Sequence, residues 1–123
     1  MRILATMNIE QIREICLGMQ GTSEAIKYGD QLCFMVAGKH FCSSRLQDPD
    51  KVNLKAPDEA FEAQCDRPGI TPAPYGGATY KWIQVEHVDV LTDAEWEQFL
   101  QMAYDTIVAK LSKKLRATLH NPS

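Results

Sequence analysis

A chain of 123 residues, of which 45% are hydrophobic, has the size of one domain and can bury a core of its own. Thirteen Lys and Arg residues against sixteen Asp and Glu residues give a net charge of -3, which excludes a chain that attracts polyanions through its total charge. The longest apolar runs are only a few residues long, so the sequence predicts neither a secretory signal nor a membrane span. We therefore expect a cytoplasmic protein.

The first predicted element is an amphipathic helix over residues 8–19. Asn8 with Gln11 three positions later is typical of a helix start. The apolar positions then recur at three- and four-residue steps, at Ile9, Ile12, Cys16 and Met19. We expect a flexible extension at residues 1–6, a single domain over residues 7–119 and a short tail at residues 120–123.

Two strands and a hairpin are predicted next. A strand over residues 22–28 and a turn at Gly29-Asp30 lead into a second strand over residues 31–37. Gly38-Lys39 then separates two apolar runs, which predicts a tight turn with glycine as its first residue.

The position of that turn fixes the pairing of the hairpin. A turn made of Gly38 and Lys39 alone sets Val36 opposite Phe41 and Met35 opposite Cys42. One face of the hairpin then carries Phe34, Val36 and Phe41, and we expect that face to meet the helices.

A further strand over residues 51–55 is predicted after a turn at Asp48-Pro49-Asp50. Its apolar residues, Val52 and Leu54, point to one side of the sheet because successive side chains in a strand alternate. Its polar residues point to the other side, namely Lys51, Asn53 and Lys55.

The middle of the chain contains a short helix, a loop and another strand. Pro57 suits the first turn of a helix that runs to about Cys65. Residues 71–77 are rich in proline and glycine, and closely spaced prolines predict a surface loop without ladder pairing. Residues 79–88 predict a strand with Trp82 and Gln84 on one face and Ile83 and Val85 on the other.

The strongest helical signal lies at the end of the chain. Thr92 and Glu95 form a capping box, and apolar residues keep helical spacing behind it as far as Leu115. The order of elements predicts an α+β domain in which an antiparallel meander sheet carries its helices on one face.

Several motifs in this order resemble the MmcQ/YjbR family of small bacterial proteins. The resemblance rests on the run from Leu54 to Phe61, the proline-rich stretch from Gly69 to Tyr75, the segment from Tyr80 to Val85, the hairpin tip at residues 38–41 and the final segment from Leu111 to Arg116. It implies a frataxin-like fold. It also implies binding of duplex DNA by a concave sheet face, because that fold looks like a phage transcription factor domain.

The predicted DNA contacts are side chains on the sheet and its turns that can neutralise phosphates or reach a base edge. They are Lys39, Arg45, Lys51, Asn53, Lys55 and Lys81. Family members tend to carry a basic segment just before the tryptophan, whereas this chain has Gly76-Gly77-Ala78-Thr79-Tyr80 and then only Lys81.

The alternative is a module of the same fold that binds a protein or a small ligand and has no role with nucleic acid. Its site is then the loop over residues 72–78 with its aromatic neighbours, Tyr75, Tyr80 and Trp82. In either case we expect a monomer or a weak dimer. A dense basic cluster at Lys110, Lys113, Lys114 and Arg116 complements the negative end of the last helix, which is the favoured explanation, and it is the second candidate for phosphate contact.

Catalytic and metal chemistry find little support in the sequence. The four cysteines are far apart, without the short pairs that zinc sites use, so we expect buried thiols and no cofactor or metal. In the predicted hairpin, His40, Cys42 and Cys33 share a face, which is the alternative zinc arrangement. No nucleophile and base are paired by sequence context, and we expect a protein that is not an enzyme.

Overall fold

The structure, a computed structural model, describes residues 7–119, so the predicted extension at residues 1–6 and the predicted tail at residues 120–123 lie outside the described residues. Within that range the chain folds into helices and strands in the order α1 Ile9–Leu17, β1 Thr22–Lys27, β2 Gln31–Val36, β3 Lys39–Arg45, β4 Asp48–Lys55, α2 Phe61–Cys65, β5 Ile70–Pro72, α3 Gly77–Tyr80, β6 Trp82–Val85, α4 Asp93–Ala109 and α5 Lys113–Leu119. A single 3-10 turn, Val88–Val90, precedes α4 among these residues.

The strands form one antiparallel sheet in the order β1-β2-β3-β4-β6-β5. The helix α4 packs across β3 and β4, and α1 packs beside it over β1 and β2. The core between helices and sheet holds fully buried side chains from both layers, among them Ile12, Phe34, Leu54, Ile83, Trp96 and Leu100. The predicted α+β fold with its meander sheet is confirmed.

The predicted β2–β3 turn is one residue too late, so the predicted pairing beside it is wrong by two residues. The turn consists of Ala37 and Gly38, both with positive φ of 50° and 78°, which is the hairpin geometry that follows the twist of the strands. Val36 therefore lies opposite Lys39. A β-bulge then shifts the register, so that Phe34 lies opposite Cys42.

Because of the bulge, the residues predicted to be buried in this hairpin are buried, although the predicted β2–β3 register is wrong. The extra residue on β3 is Phe41, and both Phe41 and Cys42 turn into the core between sheet and helices. Phe34, Val36 and Phe41 are fully buried, as predicted. His40 and Ser43 lie on the opposite side of the sheet.

The next turn and the short helix also differ from prediction. Leu46 and Gln47 make the turn, so β4 begins at Asp48, two residues before the predicted end of the turn. The helix α2 begins at Phe61 because residues 58–60 form a separate turn after Pro57.

The proline-rich stretch is not wholly a loop. Ile70–Pro72 forms the edge strand β5, since an edge strand tolerates a residue that has no amide hydrogen. Residues 77–80, which include part of the predicted strand, form the short helix α3, and β6 begins only at Trp82.

The final helix is capped as predicted but broken before its predicted end. Thr92 and Glu95 make both hydrogen bonds of the capping box. The helix α4 ends at Ala109, and Ser112 then caps α5, because its hydroxyl accepts from the amide of Leu115 at 3.2 Å. Leu111, between the two helices, is buried in the core.

Candidate functional site

The side of the sheet opposite α4, which we call the open face, contains a broad hollow of about 1080 Å³. Strands β2, β3, β4 and β6 form its floor, and the segment from Ala73 to Tyr80 forms one wall. The side chains that carry its chemistry are Tyr28, Asp30, His40, Ser43, Arg45, Asp48, Lys51, Asn53, Tyr75, Tyr80, Trp82 and Gln84.

A row of uncharged side chains crosses the sheet, and its three middle members, Ser43, Asn53 and Gln84, lie in the floor of the hollow. Each residue is the direct cross-strand partner of the next, in the order Ala25, Cys33, Ser43, Asn53, Gln84 and Thr71. The bulge in β3 brings Ser43 rather than Cys42 into this row. The row therefore offers hydroxyl and amide groups without formal charge.

Asn53 and Gln84 are joined in the middle of the row. The Gln84 Nε2 donates to Asn53 Oδ1 at 3.0 Å. This bond uses one donor and one acceptor of the two amides and leaves the Asn53 amide group and the Gln84 carbonyl without a side-chain partner in residues 7–119. If oxygen and nitrogen are exchanged in both amides, one amide still has a free donor group and the other a free acceptor.

Four aromatic residues line the same hollow as this pair. Trp82 lies two residues before Gln84 on β6, so both side chains point to the open face, and its indole is partly buried. Tyr28, Tyr75 and Tyr80 line the hollow from its rim and are mostly or fully exposed. The rings provide flat apolar surface beside the polar floor.

Two of these tyrosines have backbone conformations that are unfavourable for a residue with a side chain. Tyr28 has a φ of 54° and Tyr75 a φ of 62°, and each is followed by a glycine in a tight turn. Left-handed backbone costs about 1–2 kcal/mol for such a residue. Residues held in this way cluster at functional sites, which directs attention to the rim of the hollow.

Lys55 fastens the wall that bears Tyr80. Its side chain is only 4% exposed, and its ammonium donates to the carbonyl oxygens of Ala56 and Tyr80, each at 2.9 Å. The carbonyl of Lys81 and a carboxylate oxygen of Asp58 lie at 3.4 Å. Burial lowers the pKa of Lys55, and the charge of Lys110 lowers it further.

Close packing at Gly77 holds the same wall against β6. A Cβ at this position would meet the carbonyl oxygen of Trp82 at 2.9 Å, which no ordinary contact allows. The amide of Ala73 donates to that same carbonyl at 2.9 Å. The α3 wall is therefore fixed to the floor of the hollow at several points.

One arginine and one lysine line the hollow, and each is paired with a carboxylate. Arg45 lies 3.1 Å from Asp30, and Lys51 lies 3.7 Å from Asp48. Burial lowers the pKa of His40, and the nearby charge of Lys27 acts in the same direction, so the imidazole is neutral at pH 7. The hollow is thus close to electrical neutrality.

The structure separates the predicted DNA contacts from one another. Arg45, Lys51 and Asn53 line the hollow, whereas Lys55 is buried beneath the α3 wall. Lys81 lies over the ring of Phe61, with its Nζ 5.0 Å from the ring centre. Lys39 begins β3 outside the lining of the hollow. The predicted aromatic neighbours, Tyr75, Tyr80 and Trp82, come together in one wall and floor.

The alternative zinc arrangement fails because the bulge separates its members. His40 lies on the open face, and Cys33 is the cross-strand partner of Ser43 on that side. Cys42 instead lies in the core against Cys16 of α1, and that contact raises the pKa of its thiol well above the usual value. Among residues 7–119, His, Cys, Asp and Glu side chains nowhere form a group of three suited to a metal ion.

Sequence reasoning missed Ser43, Gln84, His40 and Tyr28 as members of the site. The alternation of β6 already placed Gln84 beside Trp82, and the Tyr-Gly pairs at residues 28–29 and 75–76 are a weak sign of exposed turns. None of the helices within the described range has the length and apolar character needed to cross a membrane.

Comparison with known proteins gives a family and a fold. A family model described as YjbR matches residues 17–106, which is most of the chain. The crystal structure of the Deinococcus radiodurans protein DR2400, a DUF419 domain, is similar at 19% identity with a TM-score of 0.82, over 95% of this chain and 91% of that chain. At this identity the likeness establishes the fold alone. No curated protein matches the chain.

Proposed function

We propose that this chain, which belongs to the YjbR family, is a non-catalytic binding protein that holds an uncharged ligand in the hollow of its open face. The observation that carries the proposal is the chemistry of the lining. A neutral row through Ser43, Asn53 and Gln84 shares one hollow with four aromatic residues, and a few polar groups within a concave, partly apolar site are typical of ligand-binding pockets.

Duplex DNA is the rival ligand that the family resemblance implies. Affinity for a duplex depends on cations that are free to neutralise phosphates. On the open face, Arg45 and Lys51 have carboxylate partners, and the ammonium of Lys55 is held by backbone carbonyls. These pairings favour an uncharged ligand over a polyanion.

The same lining supports a role without catalysis. The carboxylates of Asp30 and Asp48 face cations, and burial keeps Cys33 as a thiol by raising its pKa. In the part of the chain that the structure describes, the hydroxyl of Ser43, which lines the hollow, makes no hydrogen bond to a base that could activate it.

A screen of uncharged fragments by nuclear magnetic resonance tests the proposal. Amide nitrogen–proton correlation spectra of the full chain are recorded with cocktails of small neutral aromatic and amide compounds. We expect the shifted signals to cluster at Ser43, Asn53, Trp82 and Gln84. A shallow groove between α1 and α4, lined by Ile15 and Met102 among others, is the internal control. Equal shifts in both places, or none in the hollow, would contradict the proposal.

Duplex binding is measured separately by fluorescence anisotropy of a labelled duplex at two salt concentrations. We expect no binding that depends on the open face. Binding that weakens steeply with salt and disappears when Lys39, Arg45, Lys51 and Lys81 are replaced by Ala would overturn the proposal in favour of DNA. Loss of binding only in Lys113→Ala with Lys114→Ala would instead assign it to the basic cluster of α5, outside the hollow, and leave the proposal standing.

A further inference from the structure

The free hydrogen-bonding groups of the Asn53–Gln84 pair indicate which class of ligand fits the hollow. The two residues are direct cross-strand partners, and their single hydrogen bond of 3.0 Å leaves a donor on one amide and an acceptor on the other. A ligand that satisfies both must itself present an acceptor and a donor close together. Cyclic amides and nucleobases have such an edge, and paired amide contacts of this kind are how Asn and Gln recognise bases.

The aromatic surroundings add a requirement of shape. Trp82 stands beside Gln84 on the same face of β6. Its indole differs from that of Trp96, which is completely buried and donates to the Val88 carbonyl at 2.7 Å. The Trp82 indole makes no such bond within residues 7–119 and lines the hollow while only partly buried, so its N–H and the exposed part of its ring can contact a flat ligand.

The charges of the hollow add a third requirement. Arg45 and Lys51 are its two lining cations of fixed charge, and both have carboxylate partners among the described residues. His40 is neutral because burial lowers its pKa. A phosphate on the ligand would have to displace Asp30 or Asp48 from these cations, and Lys27, whose charge acts on His40, lies outside the lining. We therefore expect a ligand without charge.

We propose that the hollow binds a planar, uncharged heterocycle of the nucleobase type, with the Asn53–Gln84 pair contacting its amide-like edge and Trp82 covering its face. This inference rests on the proposed function and narrows it to one ligand class. The ligand can be a free base or an uncharged nucleoside, since both present the same edge.

Two methylated uracils test the edge contact without any change in the protein. In 1-methyluracil the ring keeps the N–H between its two carbonyls, whereas 1,3-dimethyluracil has a methyl group in its place and no other N–H. We expect millimolar 1-methyluracil to shift the side-chain amide signals of Asn53 and Gln84 and the indole signal of Trp82, but not that of Trp96. The dimethyl compound should bind about tenfold more weakly, because it lacks the donor. Equal affinity for the two compounds would overturn the inference.

Two variants of the protein test the same contact. Gln84→Leu should weaken binding of 1-methyluracil about tenfold, whereas Gln98→Leu, which changes an exposed glutamine of α4 outside the hollow, should leave it unchanged. Equal effects of the two variants would contradict the assigned contact.

Uridine and uridine monophosphate test whether the ligand is uncharged. A monophosphate that binds tenfold more tightly than uridine would refute an uncharged ligand. If neutral fragments shift signals in the hollow but 1-methyluracil does not, this inference falls and the proposed function stands. If no fragment binds there, both fall.

Discussion

The two faces of the sheet use the same strands for different purposes. On the covered face, one row across the sheet runs through Cys42, Leu54 and Ile83, all buried in the core. One residue away along the same strands, the open face carries Ser43, Asn53 and Gln84. Because side chains alternate along a strand, the covered row stabilises the fold and the open row is available for recognition. Changes on one face should alter folding, and changes on the other should alter binding.

The largest expected effect compares neighbours on β4. Leu54→Ala creates a cavity in the core and should lower the free energy of unfolding by about 2–5 kcal/mol. Asn53→Ala loses only the bond to Gln84 and should cost less than about 1.5 kcal/mol. Urea unfolding followed by circular dichroism measures both. Similar losses for the two variants would contradict the division between the faces.

Lys55 is the exception to that division, because it alternates to the open side and yet is buried. Lys55→Met leaves the carbonyls of Ala56 and Tyr80 without their donor and should cost about 1–3 kcal/mol. We also expect faster hydrogen exchange at the amides of Gly77 and Tyr80 in α3. Lys51→Met, on the same strand and exposed, should change stability by less than about 1 kcal/mol. If α3 exchanges equally in both variants, Lys55 does not hold the wall.

A smaller effect concerns the attachment of α4 on the covered side. Glu95 accepts from Arg67 at 2.6 Å and from the amide of Thr92, and these bonds lower its pKa to about 2. The folded protein thus keeps this carboxylate charged while an ordinary glutamate, with a pKa of 4.5, becomes protonated. Its contribution to stability is complete above pH 4.5 and is lost as the pH falls toward 2.

Glu95→Gln removes that titration. The variant should be less stable than the native chain at pH 7 but should lose less stability on acidification, which thermal unfolding at a series of pH values measures. Parallel curves for the two proteins would show that the Arg67–Glu95 pair contributes nothing in solution.

The smallest expected effect is a gain in stability together with a loss of binding affinity. Tyr28 occupies a left-handed position before Gly29, where asparagine is favoured. Tyr28→Asn should raise the free energy of unfolding by up to about 1 kcal/mol and weaken binding in the hollow by removing a rim ring. Tyr80→Asn is the control, since it removes a ring without relieving a turn. If Tyr28→Asn neither gains stability nor loses affinity, the strain at Tyr28 has no function.

Local patterns predicted much of the covered face. The capping residues Asn8 and Thr92, the alternation around Leu54 and the apolar faces of α1 and α4 all act within a few residues, so the sequence displays them directly. The left-handed Ala37 and the bulge at Phe41 were not visible, because both depend on how the hairpin packs against α4.

The open face was predicted less well, because its properties arise from pairs that are distant in sequence. Arg45 appeared to be a free cation until the fold brought Asp30 beside it, and Lys55 appeared to be exposed until the Tyr80 carbonyl covered its ammonium. The joined amides of Asn53 and Gln84 are 31 residues apart. The three aromatic residues of the predicted partner loop did come together, since Tyr75, Tyr80 and Trp82 lie within one short segment.

The indole signals of the two tryptophans give the most direct test of the account. Trp82 faces the hollow and Trp96 lies in the core, so one correlation spectrum of the full chain reports on both faces. We expect 1-methyluracil to shift the Trp82 indole signal and not that of Trp96, and unlabelled duplex DNA at low salt to leave the Trp82 signal in place. A duplex that shifts Trp82, together with a heterocycle that does not, would contradict the claim that the open face binds an uncharged ligand.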